Sequence, residues 1–363
     1  MVIGPQEIAH RTITEKLRTQ ILEGKLAPGE KLPSTVEFAA IWNTSKSTAH
    51  TALNNLVKEG LLERHHGSCT YVREQSLALE RIGIYYSTPR VWTDEERAYY
   101  RSLQGILEEK LSKMGIGVSV YVDRRPERKQ RQPLGEIRKA IFDREIQGLI
   151  LLLPNGVNLP ALCKLPLPIS VLTGAIGLPN RVEFHEKKYF REVMARLAAK
   201  GCKSVGLISS VTFDPDLPAP STNPSFANDF LVEAASHGLH TREPWTIMPK
   251  VYVTNMLRYG YKEFHNLWNQ SEHPDAVVVY PDMVVRGVIT AALELNAHRS
   301  KDVTFCFHKN AHVEMLCPFP ALWVISDEAK VADALIEQIR LQHEGKKVSP
   351  ARISFDFKMT QRT

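Results

Sequence analysis

The sequence predicts a multidomain fold: a small α+β domain at the amino end, followed by a two-lobed α/β domain with parallel sheets. Three observations carry that reading. Residues 8–73 crowd short helical stripes and a hairpin pattern into one stretch, whereas residues 81–358 alternate apolar strand-like runs with amphipathic helices. At 363 residues the chain can bury two or three separate cores.

Composition bounds the classes. The chain is 43% hydrophobic and 24% charged, which excludes a disordered or collagen-like protein. A net charge of +6 is compatible with nucleic acid without demanding it. Five cysteines with no C-x-x-C read as reduced thiols, and so as a cytoplasmic protein. The start MVIGPQEIAHRT lacks the apolar core of a secretion signal. No run of about 18 apolar residues occurs, so no membrane partner is expected.

In the first region Ile13, Leu17 and Ile21 recur every four residues, and Gly24 and Pro28-Gly29 stop that helix. In LPSTVEFAAIW, Ser34 and Glu37 form a capping box, so a short second helix starts near residue 35 with Phe38, Ile41 and Trp42 as its buried stripe. Ser45 can cap a third helix. Its Ala49, Ala52, Leu53 and Leu56 face inward, its Lys46, Ser47, His50 and Asn54 face outward, and Gly60 ends it. Leu61–His65 and Cys69–Arg73 read as two strands around His66-Gly67. Helix, helix, turn, helix, hairpin is a winged helix-turn-helix. Its third helix suits a major groove, and Gly67 at the wing tip lets the backbone approach a phosphate.

With those elements placed, ILEGKLAPGEKLPS and TSKSTAHTALNNLVKEGLLERHHGSCTYV resemble the DNA-binding domain of the GntR family of bacterial regulators. The P-G-x-x-L-P-S turn, the S-x-x-T start of the recognition helix, the E-G-L-L-E-R step and the H-G wing tip fall at that family's spacing. The resemblance implies that Ser34, Thr35, Ser45, Lys46, Ser47, Thr48, His50, Asn54, His66 and Gly67 face double-stranded DNA. It implies further that a homodimer reads an operator of two half-sites. Val36 stands where the family usually has arginine, and Lys46 and His50 where arginine is common. Residues 1–76 hold nine Lys+Arg against eight Asp+Glu, net +1, a weak phosphate attraction for a DNA reader.

From Arg81 onward, RIGIYYS is a strand and Tyr100, Leu103, Leu107, Leu111 and Met114 line one helix face. GVSVYVD is the next strand, Ile137–Ile146 a helix, and GLILLLPN a strand with no polar face, which must be covered on both sides as in a parallel sheet. The alternation continues through KKYFREVMARLAAKG, SVGLISS, SFANDFLVEAASHG, DAVVVYPD, MVVRGVITAALELN and DVTFCFH, with a last helix over 328–343 before ARISFDFKM. Such repeats give doubly wound sheets, and this length suits two of them.

This region resembles the effector-binding domain of the LacI family, itself similar to periplasmic sugar-binding proteins. PDAVVVYPD, KDVTFCFHKN and YYRSLQGILEE stand where that family has comparable segments. The resemblance implies three crossings between lobes, near 181, 323 and 348. The expected domains are then a winged helix at 1–75, a linker at 76–81 and the two-lobed domain at 82–358. Lobe 1 takes about 82–180 and 324–347, and lobe 2 takes about 181–323 and 348–358.

Ligands of open α/β sheets sit at strand carboxyl ends, here the cleft between lobes. A sugar needs planar polar groups for paired hydroxyls and an aromatic face for its C–H side. The candidates are Trp92, Tyr99, Asn155, His185, Glu186, Phe213, Trp245 and Asp282. Asp282 matches the ligand-facing aspartate of the LacI family, and a plain helix cap stays open for it. Tyr99 matches a cleft-facing aromatic, and core packing stays open. His185-Glu186 replaces that family's usual Asp-Asn, and Phe226 stands where it often has arginine, so the pocket chemistry departs from the common hexose readers. The basic run RRPERKQRQP over 124–133 reads as a solvated loop, and a contact with DNA backbone or a partner stays open for it.

The functional expectation is a DNA-binding transcriptional regulator, a repressor, controlled by a small molecule such as a sugar. The chain shows no G-x-G-x-x-G after its first strand, no phosphate-binding G-x-x-x-x-G-K-[ST] and no G-x-S-x-G, so no catalytic residue, cofactor or metal is expected. The alternatives are a regulator whose sensor only dimerises, and an α/β enzyme.

Overall fold

The computed structural model describes residues 5–22, 25–65, 69–73, 78–87, 94–154, 157–173, 177–211, 224–251, 253–300 and 303–359. The small domain holds α1 (Pro5–Leu22), α2 (Thr35–Ile41), α3 (Lys46–Lys58) and an antiparallel hairpin of β1 (Leu62–His65) and β2 (Cys69–Val72). Both caps form. Ser34 Oγ accepts from Glu37 N while Glu37 Oε2 accepts from Ser34 N at 2.9 Å, and Ser45 Oγ accepts from Thr48 N at 3.1 Å. Ala49, Ala52, Leu53 and Leu56 of α3 are fully buried against Ile13 and Leu17 of α1. Each large aliphatic residue so buried contributes about 1.5–3 kcal/mol. Gly60, at φ +75°, ends α3 in the left-handed conformation that glycine adopts without strain. Ile41, expected in the buried stripe of α2, is 68% exposed instead, because Phe38 and Ala39 take the inward positions of that short helix.

The larger domain contains two six-stranded sheets of the same strand order. Lobe 1 is built from β3 (Arg81–Ser87), α4 (Asp94–Lys113), β4 (Gly117–Asp123), α5 (Gly135–Phe142), β5 (Gly148–Leu153), α6 (Leu159–Leu162), β6 (Ile169–Leu172) and β7 (Arg181–Phe184). Lobe 2 follows with α7 (Glu186–Ala199), β8 (Val205–Ser209), α8 (Pro224–Ser236), β9 (Thr246–Ile247), α9 (Met256–Trp268), β10 (Ala276–Tyr280), α10 (Asp282–Glu294), β11 (Thr304–Asn310) and β12 (Leu322–Ser326). α11 (Glu328–His343) returns to pack on lobe 1, β13 (Ala351–Ile353) joins the first sheet, and β14 (Asp356–Met359) joins the second. The orders are β4-β3-β5-β6-β7-β13 and β9-β8-β10-β11-β12-β14, and every pairing is parallel except β14 against β12.

The crossings fall after Phe184, between Ser326 and Glu328, and between Ile353 and Asp356, later than the expected 181, 323 and 348. A strand leaves its sheet only after its last paired residue, so each crossing lies at a carboxyl end rather than at an apolar run's edge. Consequently β7 and β13 belong to lobe 1 and β12 to lobe 2. Met114, expected on the buried face of α4, lies beyond the helix and is 50% exposed. α9, absent from the expected elements, has a local signal: Met256, Gly260, Phe264 and Leu267 recur at helical spacing behind the cap Asn255. Its glycine has a packing reason. A Cβ on Gly260 would stand 2.2 Å from Val284 O, and one on Gly287 2.0 Å from Leu257 O, so α9 and α10 cross in backbone contact.

Candidate functional site

On α3, Lys46, Ser47 and His50 are exposed and Asn54 is half-buried, all outside the face packed on α1. Thr48 is a correction. Its side chain is buried and its hydroxyl lies 2.8 Å from Ser45 Oγ, so it closes the cap rather than facing outward. Ser34 and Ser45 are likewise occupied as caps, although both remain exposed, and Thr35 is half-buried. His66 and Gly67 lie outside the described residues.

The strand carboxyl ends of lobe 2 carry a closed ring of buried polar groups. The Asp282 backbone N–H donates to His308 Nδ1 at 3.1 Å, which leaves the proton of a neutral imidazole on Nε2. Nε2 therefore donates to Ser326 Oγ at 3.1 Å, and Ser326 donates onward to Asn310 Oδ1 at 2.5 Å. Asn310 Nδ2 closes the ring on Asp282 Oδ2 at 2.9 Å. Burial pushes His308 down to about 3, so it stays neutral. Burial also raises the Asp282 carboxyl above the usual range, against the lowering by Asn310 and by the backbone N–H of Met283. Asp282 is the first residue of α10, after Pro281 at the cap position. Three strands must end in register for this ring to form, so sequence spacing alone does not join His308 to Asp282. Its i, i+4 neighbour His312 instead places Nδ1 3.0 Å from Glu328 Oε1.

Across the cleft, Tyr99 on α4 has a buried hydroxyl without a hydrogen-bond partner. Burial raises that hydroxyl, followed by the fields of Tyr100, Glu328, Tyr280 and Asp282. Charged and phenolic groups of both lobes and of a crossing thus act on this hydroxyl. Glu328 was not among the expected site residues. It is buried at the start of α11 with its Oε1 3.0 Å from His312 Nδ1, and burial raises its carboxyl against the lowering by its own backbone N–H and by His312. The signal available for it was its place directly after a strand end, at a crossing.

The other candidates divide. His185 caps α7, its Nδ1 accepting from Lys188 N at 3.4 Å, and Glu186 follows it at the crossing, half-buried. Phe226 is fully buried against Phe190 and Tyr280, so this wall of the lobe is aromatic. Trp245 is a correction. It lies in the core beside the amino half of β8, Nε1 donates to Glu272 O at 3.3 Å, and it sits at the end of the sheet opposite the cleft. Trp92, Asn155 and Phe213 lie outside the described residues.

The basic run 124–133 is more ordered than a solvated loop. Arg125 folds back on buried Asp123 with two hydrogen bonds, Nε to Oδ1 at 2.9 Å and Nη2 to Oδ2 at 2.7 Å, and Gln130 is buried. Beyond it the small domain meets lobe 1. Arg144 Nη2 donates to Glu63 Oε2 of β1 at 3.2 Å, and the Arg73 guanidinium lies over the Phe142 ring at 5.0 Å. No described helix is long and apolar enough to cross a membrane. Among the described residues no group of three or more metal-ligating side chains comes together.

Residues 9–72 match the gntR family of bacterial regulatory proteins. The HTH-type transcriptional repressor NagR of Bacillus subtilis is 45% identical over 72 residues, which is 20% of this chain and 30% of that protein. The chain thus spans less than a third of that relative's length. The larger domain has the LacI-type two-lobed fold. A LacI-family regulatory protein from Chloroflexus aggregans superposes with a TM-score of 0.59 at 14% identity, over 76% of this chain and 96% of that one. The Lac repressor dimer bound to operator and the anti-inducer ONPF gives 0.59 at 14% identity, over 79% and 93%.

Proposed function

We propose that this chain is a ligand-responsive transcriptional repressor of the cytoplasm. In this reading a homodimer sets two α3 helices on an operator of two half-sites, with Lys46, Ser47 and His50 toward the groove. A small molecule, sugar-like in its hydroxyls, binds between Asp282 and Tyr99. What supports the reading is a buried, unpartnered hydroxyl of one lobe that feels a desolvated carboxyl of the other, on a chain whose residues 9–72 match the gntR family. Ligand binding favours one arrangement of the lobes, and the Glu63–Arg144 contact offers a route from lobe 1 to the recognition helix.

The test is a pair of titrations on an operator selected from random DNA. Lys46→Ala should weaken operator binding by about 1–3 kcal/mol if it reads a base. Asp282→Ala should bind operator like wild type yet need roughly ten- to a hundredfold more effector, because the ligand's hydroxyls lose their acceptor. An Asp282→Ala protein that responds at wild-type effector concentrations would place the ligand elsewhere.

A further inference from the structure

We propose that a cavity between the small domain and lobe 1 is a second ligand site, built to take a phosphate monoester of a small organic molecule. It is separate from the cleft between the lobes and does not depend on the reading of that cleft.

The cavity measures about 720 Å³, within the range of small-molecule sites. Lobe 1 supplies Arg131, Arg138 and Lys164 from three segments: the stretch before α5, α5 itself and the residues after α6. The small domain supplies Glu15, Arg18 and Glu59. Ile141, Pro160 and Leu165 add apolar surface to the lobe 1 wall.

The two walls differ in how their charges are met. Arg18 donates to Glu59 through Nε at 2.9 Å and Nη2 at 2.6 Å, and it also pairs with Glu15. One guanidinium thus serves both carboxylates of the small domain. Arg131, Arg138 and Lys164 line the same space without such a partner. Among the described residues none of the three makes an ion pair or a side-chain hydrogen bond. Nor does Arg131 hang on a loose loop. Gln130 Nε2 donates to Arg125 O and Arg125 Nη2 to Gln132 O, each at 2.7 Å, so both chain neighbours of Arg131 are tied. Three cations on ordered backbone around one recess focus a positive field into it.

A phosphate monoester fits this set. It carries about −1.5 to −2 charges at neutral pH and offers three acceptor oxygens to two guanidinium forks and an ammonium. A single carboxylate would leave a cation over, and an amine would be repelled. The apolar part of the wall suits an organic body, which inorganic phosphate lacks. Duplex DNA belongs elsewhere, because Lys46 opens α3 whereas Glu59 caps its other end, about 20 Å further along the axis.

The experiment is calorimetry on the full chain without DNA at neutral pH. The probes are glucose 6-phosphate, glycerol 3-phosphate, fructose 1,6-bisphosphate and AMP, beside glucose, citrate and inorganic phosphate. At least one ester should bind, with its dephosphorylated body and inorganic phosphate at least tenfold weaker. Arg138→Gln and Lys164→Gln should each weaken that ester about tenfold, while Lys46→Ala and Asp282→Ala leave it within about twofold. Arg138 and Lys164 are both exposed, so either variant serves should the other not fold. Loss of the ester with Asp282→Ala would seat it in the cleft, overturning the proposal and leaving the cleft reading standing. Loss with Lys46→Ala would seat it on the DNA-reading face, which overturns the proposal as well. Citrate or inorganic phosphate binding as tightly as the ester would show a general attraction for anions and no built site. Should Arg138→Gln weaken operator binding and leave the ester untouched, the lobe 1 cations meet DNA backbone and the proposal falls. Absence of binding by all four esters also ends it.

Discussion

The two lobes share a strand order, and each buries an aspartate at a strand end, yet the two aspartates are held in opposite ways. Asp123 of lobe 1 meets Arg125 in a bidentate pair and accepts from Tyr85 Oη at 3.0 Å. Tyr85 in turn accepts from Asn158 Nδ2 at 2.9 Å. Although burial opposes it, Arg125 holds the Asp123 carboxyl below its ordinary range. Asp282 of lobe 2 has neutral donors around it, and burial prevails. A buried carboxylate supplied with its own arginine is complete and serves the fold. Asp282, met by Asn310 and backbone donors with Arg286 a turn away, is not closed off in that way, which suits the ligand role proposed for it.

The largest expected effect separates them by stability. Asp123→Ala strands the guanidinium and the Tyr85 hydroxyl and should cost about 3 kcal/mol, softened by the partial exposure of Arg125. Asp282→Asn keeps an oxygen for Asn310 and removes a desolvated charge, so its unfolding free energy should stay within about 1 kcal/mol of wild type. Urea unfolding of both variants checks the contrast. Equal losses would mean that Asp282 is as structural as Asp123.

Acid should also distinguish lobe 2. The unfolded chain protonates His308 near pH 6.5 whereas the folded chain resists until about 3, so the unfolded state binds more protons in between. The stability contributed by neutral His308 is therefore complete above about pH 6.5 and falls by about 1.4 kcal/mol per pH unit below it. The raised carboxyls of Asp282 and Glu328 work the other way, gaining stability as pH falls through their folded-state values. His308→Gln can keep an acceptor for the Asp282 N–H and a donor for Ser326, and does not titrate. The slope of stability between pH 6.5 and 4.5 should shrink in that variant. An unchanged slope would assign the acid sensitivity to other groups.

Much of this was legible in the sequence. The capping box at Ser34, the outward face of α3, the strand Arg81–Ser87 and the helix Glu328–His343 all follow from local spacing. The site was less legible, because its chemistry depends on strands far apart in sequence ending together. Asp282 was named from a resemblance. Its partners His308, Asn310 and Ser326 become a ring only through the parallel register of β10, β11 and β12. Trp245 misled for the same reason. An aromatic beside a strand is ligand-facing at one end of a sheet and core at the other, and the short strand β9 gave no sign of which end it was.

The smallest expected effect concerns what lobe 1 does with its charge at its other end. Arg144 follows α5 with φ 58°, a left-handed position where glycine is usual and a long side chain is strained. Its guanidinium reaches Glu63, while Arg73 lies over Phe142 with Nε and Nη1 making no hydrogen bond and Nε 3.8 Å from Glu63. Gly60 brings the end of α3 against the same spot, since a Cβ there would stand 3.4 Å from Phe142 Cα. The carboxyl ends of the recognition helix and of α5 thus abut, with two cations beside two helix ends of partial negative charge. Arg144→Gly removes a partly exposed ion pair worth at most about 1 kcal/mol and relieves strain of similar size, so melting should hardly change. Operator affinity and effector affinity, measured separately, should also stay near wild type, since neither surface is touched. The factor by which effector changes operator affinity should fall, because the joint that links lobe 1 to α3 is loosened. An unchanged factor would mean that the lobes signal to the heads by another route, and that Arg144 and Arg73 serve packing alone.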